Sequence, residues 1–409
     1  MMGRLRAIWG HGDVKHLVGG GRYKLLKSGT ELTASFAFTW YLANVAGAQV
    51  FDEFVYLTSL LSMLSICAYV GISDSMTRSV ARGFDTSFKR GVRYSSLVAL
   101  SGTAILLAIA FYYYGQGNTD RAISLVVCAI FFPVFRPLEY FSAFLNGRQE
   151  FGREARFFST LFAGRIVAAV GATLLFPNQV WPVMLAYLGS HLLLAGVMYF
   201  RCQQTVGEGK ADPELIGYGA FATVVSGIVM LENNFDKVLV GTLGNPEQIG
   251  MLYLALMPYS KLRSVVVPLF SVFSARFATG RTAVTGRKLL YLLGAGVLFA
   301  LGAALFMTVL LHMLFVDYRE AIPLAQVLSM VLVVTPINLL FNNYYRATAH
   351  RRAILVPTLS SRLLSIALVI PAWYAAGLWG LVSLKFLEQG IVLVLHLYYW
   401  RREGNRVAA

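Results

Sequence analysis

The sequence predicts an all-α polytopic membrane protein of about twelve helices, arranged in two pseudo-symmetric six-helix lobes. Three observations carry this: composition, a recurring apolar run length, and an internal repeat. Of 409 residues, 57% are hydrophobic and 13% charged, with a mean hydropathy of +0.62. A soluble globular domain is neither so apolar nor so poor in charge. Runs of about 20 apolar residues, enough to cross about 30 Å of hydrocarbon, recur with centres near residues 35, 62, 104, 133, 166, 191, 228, 261, 301, 332, 364 and 389.

Short basic loops separate the runs and set their orientation. Most of the 35 Lys and Arg residues fall on one side, including Arg78, Arg82, Lys89, Arg90 and Arg93. The opposite loops hold only Arg121, Lys237 and Arg319. The positive-inside rule then places both termini in the cytoplasm. Residues 1–23 lack an apolar core and a small-residue cleavage site, so no signal peptide is expected. Topology and anionic lipids account for the net charge of +15, and no nucleic acid is needed. Cys67, Cys128 and Cys202 are not spaced for a metal and read as apolar fillers.

The repeat supports two lobes. RSVARG at Arg78–Gly83 falls on ARFATG at Ala275–Gly280, an offset of 197. Pro133–Arg148 runs without gaps onto Pro336–Arg351 at an offset of 203, and Arg165 returns as Arg362 at 197. The matches keep their order and nearly one spacing. They imply a first lobe at 1–200, a polar cytoplasmic linker at 201–213 and a second lobe at 214–409, with a substrate site at the interface of the halves.

Charges inside the apolar runs are the candidate functional groups, because a cation at mid-bilayer costs about 3 kcal/mol on insertion scales. Lys261 and Arg263 lie between Pro258 and Pro268, with Lys261 about 18 Å from either end of its run. At i, i+2 they point to opposite sides of a regular helix, and Lys261 shares the Pro258 and Pro268 face. Arg136 and Glu139 share a face beside Pro133 and Pro137, which reads either as self-neutralisation or as a cavity wall. Arg165 has no acid on its own face, which favours a role beyond local pairing. Arg362 lies about 15 Å from Arg352 along its helix.

Among the acids, Glu232 and Asp236 share a face at i, i+4. They read either as an H⁺ or Na⁺ site or as a frayed end where Asp236 pairs with Lys237. Lys27 with Glu31 and Lys385 with Glu388 read most simply as local salt bridges, and His191 as a packing residue. No catalytic triad, metal site or cofactor is expected.

Taken together, the twelve runs, SMTRSVARG after the second, NNFDKVLVGTLGNPEQIGMLYLA at Asn233–Ala255 and the loop FLNGRQEF at Phe144–Phe151 resemble polysaccharide flippases of the Wzx type. These belong to the multidrug/oligosaccharidyl-lipid/polysaccharide exporter (MOP) superfamily, and the resemblance covers most of residues 24–400. It implies a MATE/MOP-like fold in the bacterial inner membrane. It also implies transfer of undecaprenyl-pyrophosphate-linked oligosaccharide repeat units, for O-antigen or capsule, from inner to outer leaflet by ion-coupled alternating access. Lys261, Arg263, Arg136, Arg165 and Arg362 are then the candidates to receive the pyrophosphate, with Glu232, Asp236 and Glu139 as coupling groups for H⁺ or Na⁺. Membrane lipids, a glycan polymerase and a chain-length regulator are the implied partners. A pyrophosphate diester cannot cross hydrocarbon bare, so several cations in a wet cleft fit this cargo on physical grounds alone. The alternatives are a drug or cation antiporter of the same superfamily, a membrane glycan polymerase, and a major-facilitator transporter. The antiporter would favour acids over lone bases. The polymerase would need a sizeable outer loop, and the third alternative lacks its G-x-x-x-D-R-x-G-R pattern here.

Overall fold

Inside a bilayer every backbone N–H and C=O must find a partner within the protein, so runs this apolar become continuous helices. The computed structural model describes residues 11–245, 247–257, 259–262, 284–347 and 350–407, and no strand occurs among them. The helices are α1 (His11–Tyr41), α2 (Ala48–Met63), α3 (Ile72–Ala81), α4 (Ser87–Gly115), α5 (Thr119–Leu138), α6 (Phe141–Gly147), α7 (Phe151–Leu175), α8 (Val180–Gln203) and α9 (Leu215–Leu243). A helical stretch at 247–257 follows. The rest are α10 (Gly286–Leu314), α11 (Ala321–Met330), α12 (Thr335–Ala347) and α13 (Arg351–Val407).

Eight helices among the described residues are long and apolar enough to cross a membrane, or nine if the bent pair Ala321–Val333 and Thr335–Tyr345 is one span. Helix α1 is not among them, because Lys24, Lys27 and Glu31 interrupt its apolar run. The run centred near residue 261 lies partly outside the described residues. Those expected near 364 and 389 merge in α13, a 57-residue element whose helical path breaks at Ala376 and Gly377. Gly377 has φ +57°, a backbone conformation glycine enters without a Cβ penalty.

The chain forms two compact units, Met1–Met230 and Leu231–Ala409. Their boundary falls inside α9. Hydrogen bonds explain why the start of α9 belongs to the first unit. Gly71 N–H donates to Thr223 Oγ1 at 3.0 Å, Ser75 Oγ to Leu215 O at 2.7 Å and Tyr69 to Ile216 O at 2.8 Å. Beneath them lies a core that includes Met76, Phe88, Phe141, Phe144 and Leu161. In the second unit Phe341 and Tyr345 are buried with Trp400 packed against them.

The basic segment SMTRSVARG is fastened to the polar stretch before α9. Ser79 Oγ donates to Asp212 at 2.8 Å, Arg82 lies 3.3 Å from Asp212 and from Glu214, and the Asp212 N–H donates to Ser87 Oγ at 2.9 Å. Burial pushes the Asp212 carboxyl up, but the Glu214 amide, the Ser79 hydroxyl and Arg82 outweigh it and hold it below its ordinary value. A depressed carboxylate stabilises the fold above its unfolded-state pKa, and that contribution is lost as pH falls through the folded value. Asp212→Asn should therefore lower thermal stability near neutral pH, with the gap to wild type closing as pH falls below about 4. Melting curves across pH check this; a gap that does not narrow would sink it.

Close helix approach gives a second test. A Cβ on Gly296 in α10 would lie 2.3 Å from the Val333 carbonyl oxygen, whereas Gly294 has nothing within 4 Å. Gly296→Val should destabilise by about 1–3 kcal/mol through overpacking against backbone that cannot move aside. Gly294→Val serves as the neutral control, and equal melting temperatures for the two variants would count against the packing described.

Candidate functional site

Two prolines prepare the first cluster. Pro133 has no N–H, and the Ala129 carbonyl it leaves unpaired accepts from Thr103 Oγ1 of α4 at 3.2 Å. The helix then breaks after Pro137. Glu139 N–H bonds Arg136 O at 3.1 Å, and the Phe135 carbonyl pairs with His191 Nε2 of α8 at 2.7 Å. A carbonyl only accepts, so the ring proton sits on Nε2. Nδ1 is left to accept from Arg165 Nη1 of α7 at 3.3 Å.

Glu139, in the turn after α5, receives two guanidinium groups. Arg136 Nη1 donates to Oε2 at 3.0 Å and Arg165 Nη1 to Oε1 at 3.3 Å. Arg136 Nε also donates to Ser65 Oγ at 3.1 Å. Arg165 is only 5% exposed, and its Nε is buried without a hydrogen-bond partner. The rings of Phe162 and Tyr187 lie 5.4 and 5.3 Å from its guanidinium carbon. Arg136, Glu139 and Arg165 line a cavity of about 250 Å³ together with Glu31, Thr58 and Tyr187.

The second unit repeats the motif with other residues. Glu232 Oε2 accepts Arg362 Nη1 at 2.7 Å, and its Oε1 accepts Lys385 Nζ at 2.5 Å. Lys385 also lies 3.6 Å from Asp236, and Lys237 is 3.7 Å from the other Asp236 oxygen. Glu232, Asp236, Arg362 and Lys385 are all buried. Helix α13 supplies both Arg362 and Lys385, one on each side of its break.

The expected residues thus form two groups: Arg136, Glu139 and Arg165 in the first unit, and Glu232, Asp236 and Arg362 in the second. Lys261 is half-buried in the stretch 259–262. Arg263, Pro258 and Pro268 lie outside the described residues. Two pairings expected from spacing change, and Arg165 finds its partner elsewhere. Arg165 has no acid on its own helix face, but Glu139 reaches it from the turn after another helix. Lys27 pairs with Glu154 rather than Glu31, and Ser142 Oγ donates to the same carboxylate at 2.6 Å. Lys385 turns to Glu232, 153 residues away, where i, i+3 spacing pointed to Glu388. Asp236 does pair with Lys237. Lys385, His191 and Ser65 were missed as site residues, because local spacing carries no signal for contacts this distant.

Taking one partner from a buried ion pair costs about 3–5 kcal/mol, since it leaves a charge uncompensated. Glu232→Ala should lower the melting temperature of the purified protein accordingly, and Glu232→Gln with Lys385→Met should recover much of the loss. Wild-type melting by Glu232→Ala would contradict the arrangement.

Membrane-length helices with ion-paired arginine and lysine buried among them define a polytopic membrane protein, and solved structures place its fold. A multidrug resistance MATE family transporter of the MOP superfamily, inward-facing, aligns with TM-score 0.67 and 13% identity over 91% of this chain and 94% of its own. The eukaryotic MATE transporter AtDTX14 aligns with TM-score 0.64 and 13% identity over 94% of each chain. The lipid II flippase MurJ, in an inward closed conformation, aligns with TM-score 0.62 and 12% identity over 94% of this chain and 87% of its own. The fold is therefore MATE/MOP-like. The chain belongs to the polysaccharide biosynthesis protein family, which matches residues 24–275. No curated protein matches its sequence.

Proposed function

We propose that this protein is a flippase for lipid-linked oligosaccharides, moving undecaprenyl-pyrophosphate-linked repeat units from the inner to the outer leaflet of the bacterial inner membrane. Family membership supports a role in polysaccharide biosynthesis, and the fold supports a transporter. The observation that carries the reading is Arg165, buried and paired with Glu139 but with its Nε unpartnered among the described residues, lining a cavity with Arg136. Arginine's planar fork suits phosphate oxygens. A pyrophosphate diester brings about two negative charges that hydrocarbon cannot solvate, and the polyprenyl tail can remain in lipid.

Glu139 makes the site reversible. A phosphate that takes its place between Arg136 and Arg165 leaves the carboxylate without its cations, and a carboxylate in that position gains affinity for H⁺ or Na⁺. Glu232 and Asp236 stand in the same relation to Arg362 and Lys385. Ion binding and anion release are then linked through shared partners, as alternating access requires.

In a strain lacking the gene, Arg165→Ala, Arg362→Ala and Lys261→Ala should each reduce glycan export by roughly tenfold or more at normal membrane levels, equivalent to about 1.4 kcal/mol of lost substrate or transition-state interaction. Arg165→Lys should recover only part, since charge returns without the fork. Undecaprenyl-linked oligosaccharide should accumulate facing the cytoplasm. Full export by all three alanine variants would remove the anion-site reading.

A further inference from the structure

The first unit holds a larger cavity, of about 710 Å³, a volume within the ordinary range for small-molecule sites. Its walls come from α1, α3, α6 and the turn into α7, which include the SMTRSVARG and FLNGRQEF segments. Lys27 lines it, but its charge is taken up by the buried Glu154. Two further carboxylates line it, Glu31 and Asp74. Neither makes a hydrogen bond or ion pair among the described residues. The cavity is therefore acidic, and a pyrophosphate would be repelled from it.

The remaining lining is suited to hydroxyl groups. Asn146 donates its amide to Ser142 O at 2.9 Å, which leaves its side-chain oxygen to accept. Gln149, also in the wall, sits in the left-handed region at φ +60°, a conformation that costs a non-glycine residue about 1–2 kcal/mol. Its amide both donates and accepts, and the carboxyl groups of Glu31 and Asp74 offer acceptor oxygens. Phe151 also borders the cavity. Acceptors, amides and a ring around a concave, water-sized-to-ligand-sized space match a polyol with one apolar face, which is the surface of a pyranose.

Glu31 lines both this cavity and the 250 Å³ cavity of Arg136 and Arg165. The two spaces are neighbours, one acidic and hydroxyl-binding, the other containing the arginines. We infer that together they form a two-compartment site, in which the acidic cavity receives the glycan of a glycan-pyrophosphate lipid and selects neutral or amino sugars over uronic acids. This rests on the flippase reading for the phosphate half, while the glycan half stands on the acidic cavity itself. Glu31 and Asp74 are the specificity-determining residues, because a sugar carboxylate placed beside them would meet like charge.

The test uses the full-length protein in lipid nanodiscs and three soluble-tail probes: farnesyl pyrophosphate, farnesyl pyrophosphate carrying N-acetylglucosamine, and the same lipid carrying glucuronic acid. Binding is read by intrinsic tryptophan fluorescence. In wild type the N-acetylglucosamine probe should bind roughly tenfold tighter than the bare lipid, and the glucuronic acid probe no tighter than the bare lipid. In Glu31→Gln with Asp74→Asn, the ratio for N-acetylglucosamine should fall to about threefold or less while the ratio for glucuronic acid rises. A merely structural role for these acids would not move the two ratios in opposite directions. The inference is overturned if N-acetylglucosamine adds nothing in wild type, or if either ratio is unchanged in the double variant. The phosphate half is read separately, from bare farnesyl pyrophosphate and Arg165→Ala. Wild-type affinity there, with the sugar ratios as expected, removes the arginine cavity as the phosphate site and leaves the glycan cavity standing.

Discussion

A charge that enters hydrocarbon must find a counter-charge within the protein, and in each unit of this chain one carboxylate is shared between two cations. Glu139 holds Arg136 and Arg165; Glu232 holds Arg362 and Lys385. Much of the local architecture follows from it. The break after Pro137 lets Glu139 turn toward α7, and it frees the Phe135 carbonyl. That carbonyl fixes the proton on His191, and the opposite ring nitrogen then helps hold Arg165. Replace the prolines with ordinary helix formers and Glu139 would continue along α5, with Phe135 O bonded to its own N–H. Backbone geometry and electrostatics are here one problem, solved at one turn.

The sequence makes the fold class legible because the bilayer imposes a length. An apolar run near 20 residues reads as a span whatever its neighbours do. The failures have equally physical causes. Helix α1 carries Lys27 and Glu31 in its apolar run, so length and composition alone do not mark it as a span. Helix α13 reads as two runs in sequence, and Ala376 with Gly377 marks where the path breaks. At the candidate site, residue identities were legible and partnerships were not. A lone arginine in an apolar run announces that it needs a partner, yet only packing reveals that Arg165 finds Glu139 and Arg362 finds Glu232. Helical spacing suggested Lys27 with Glu31 and Lys385 with Glu388. In both cases an acid on another helix takes the cation: the buried Glu154 takes Lys27, and Glu232 takes Lys385 although Glu388 is itself buried.

The likeness to solved transporters at 12–13% identity is intelligible in the same terms. Lipid-facing positions accept almost any apolar side chain, so sequence can drift there while helix lengths and crossings stay. What should resist drift is the pairing of each buried cation with a carboxylate rather than the identity of the partners. The repeat within this chain illustrates the point: Arg165 and Arg362 occupy matching positions, but their carboxylates come from different places, one after α5 and the other in α9.

A carboxylate that already satisfies two cations has a consequence for any anion the protein binds. The incoming group cannot simply be added, because it must compete with Glu139 for the same guanidinium donors. Its net affinity is the difference between two charge-assisted pairings, which keeps binding moderate however strong each pairing is alone. Moderate binding is what a carrier needs, since a cargo held by bare arginines in a dry site would not leave. The displaced carboxylate, in turn, must take up a proton or pair with another cation. On the proposed flippase reading, affinity control and ion coupling would arise from one exchange reaction.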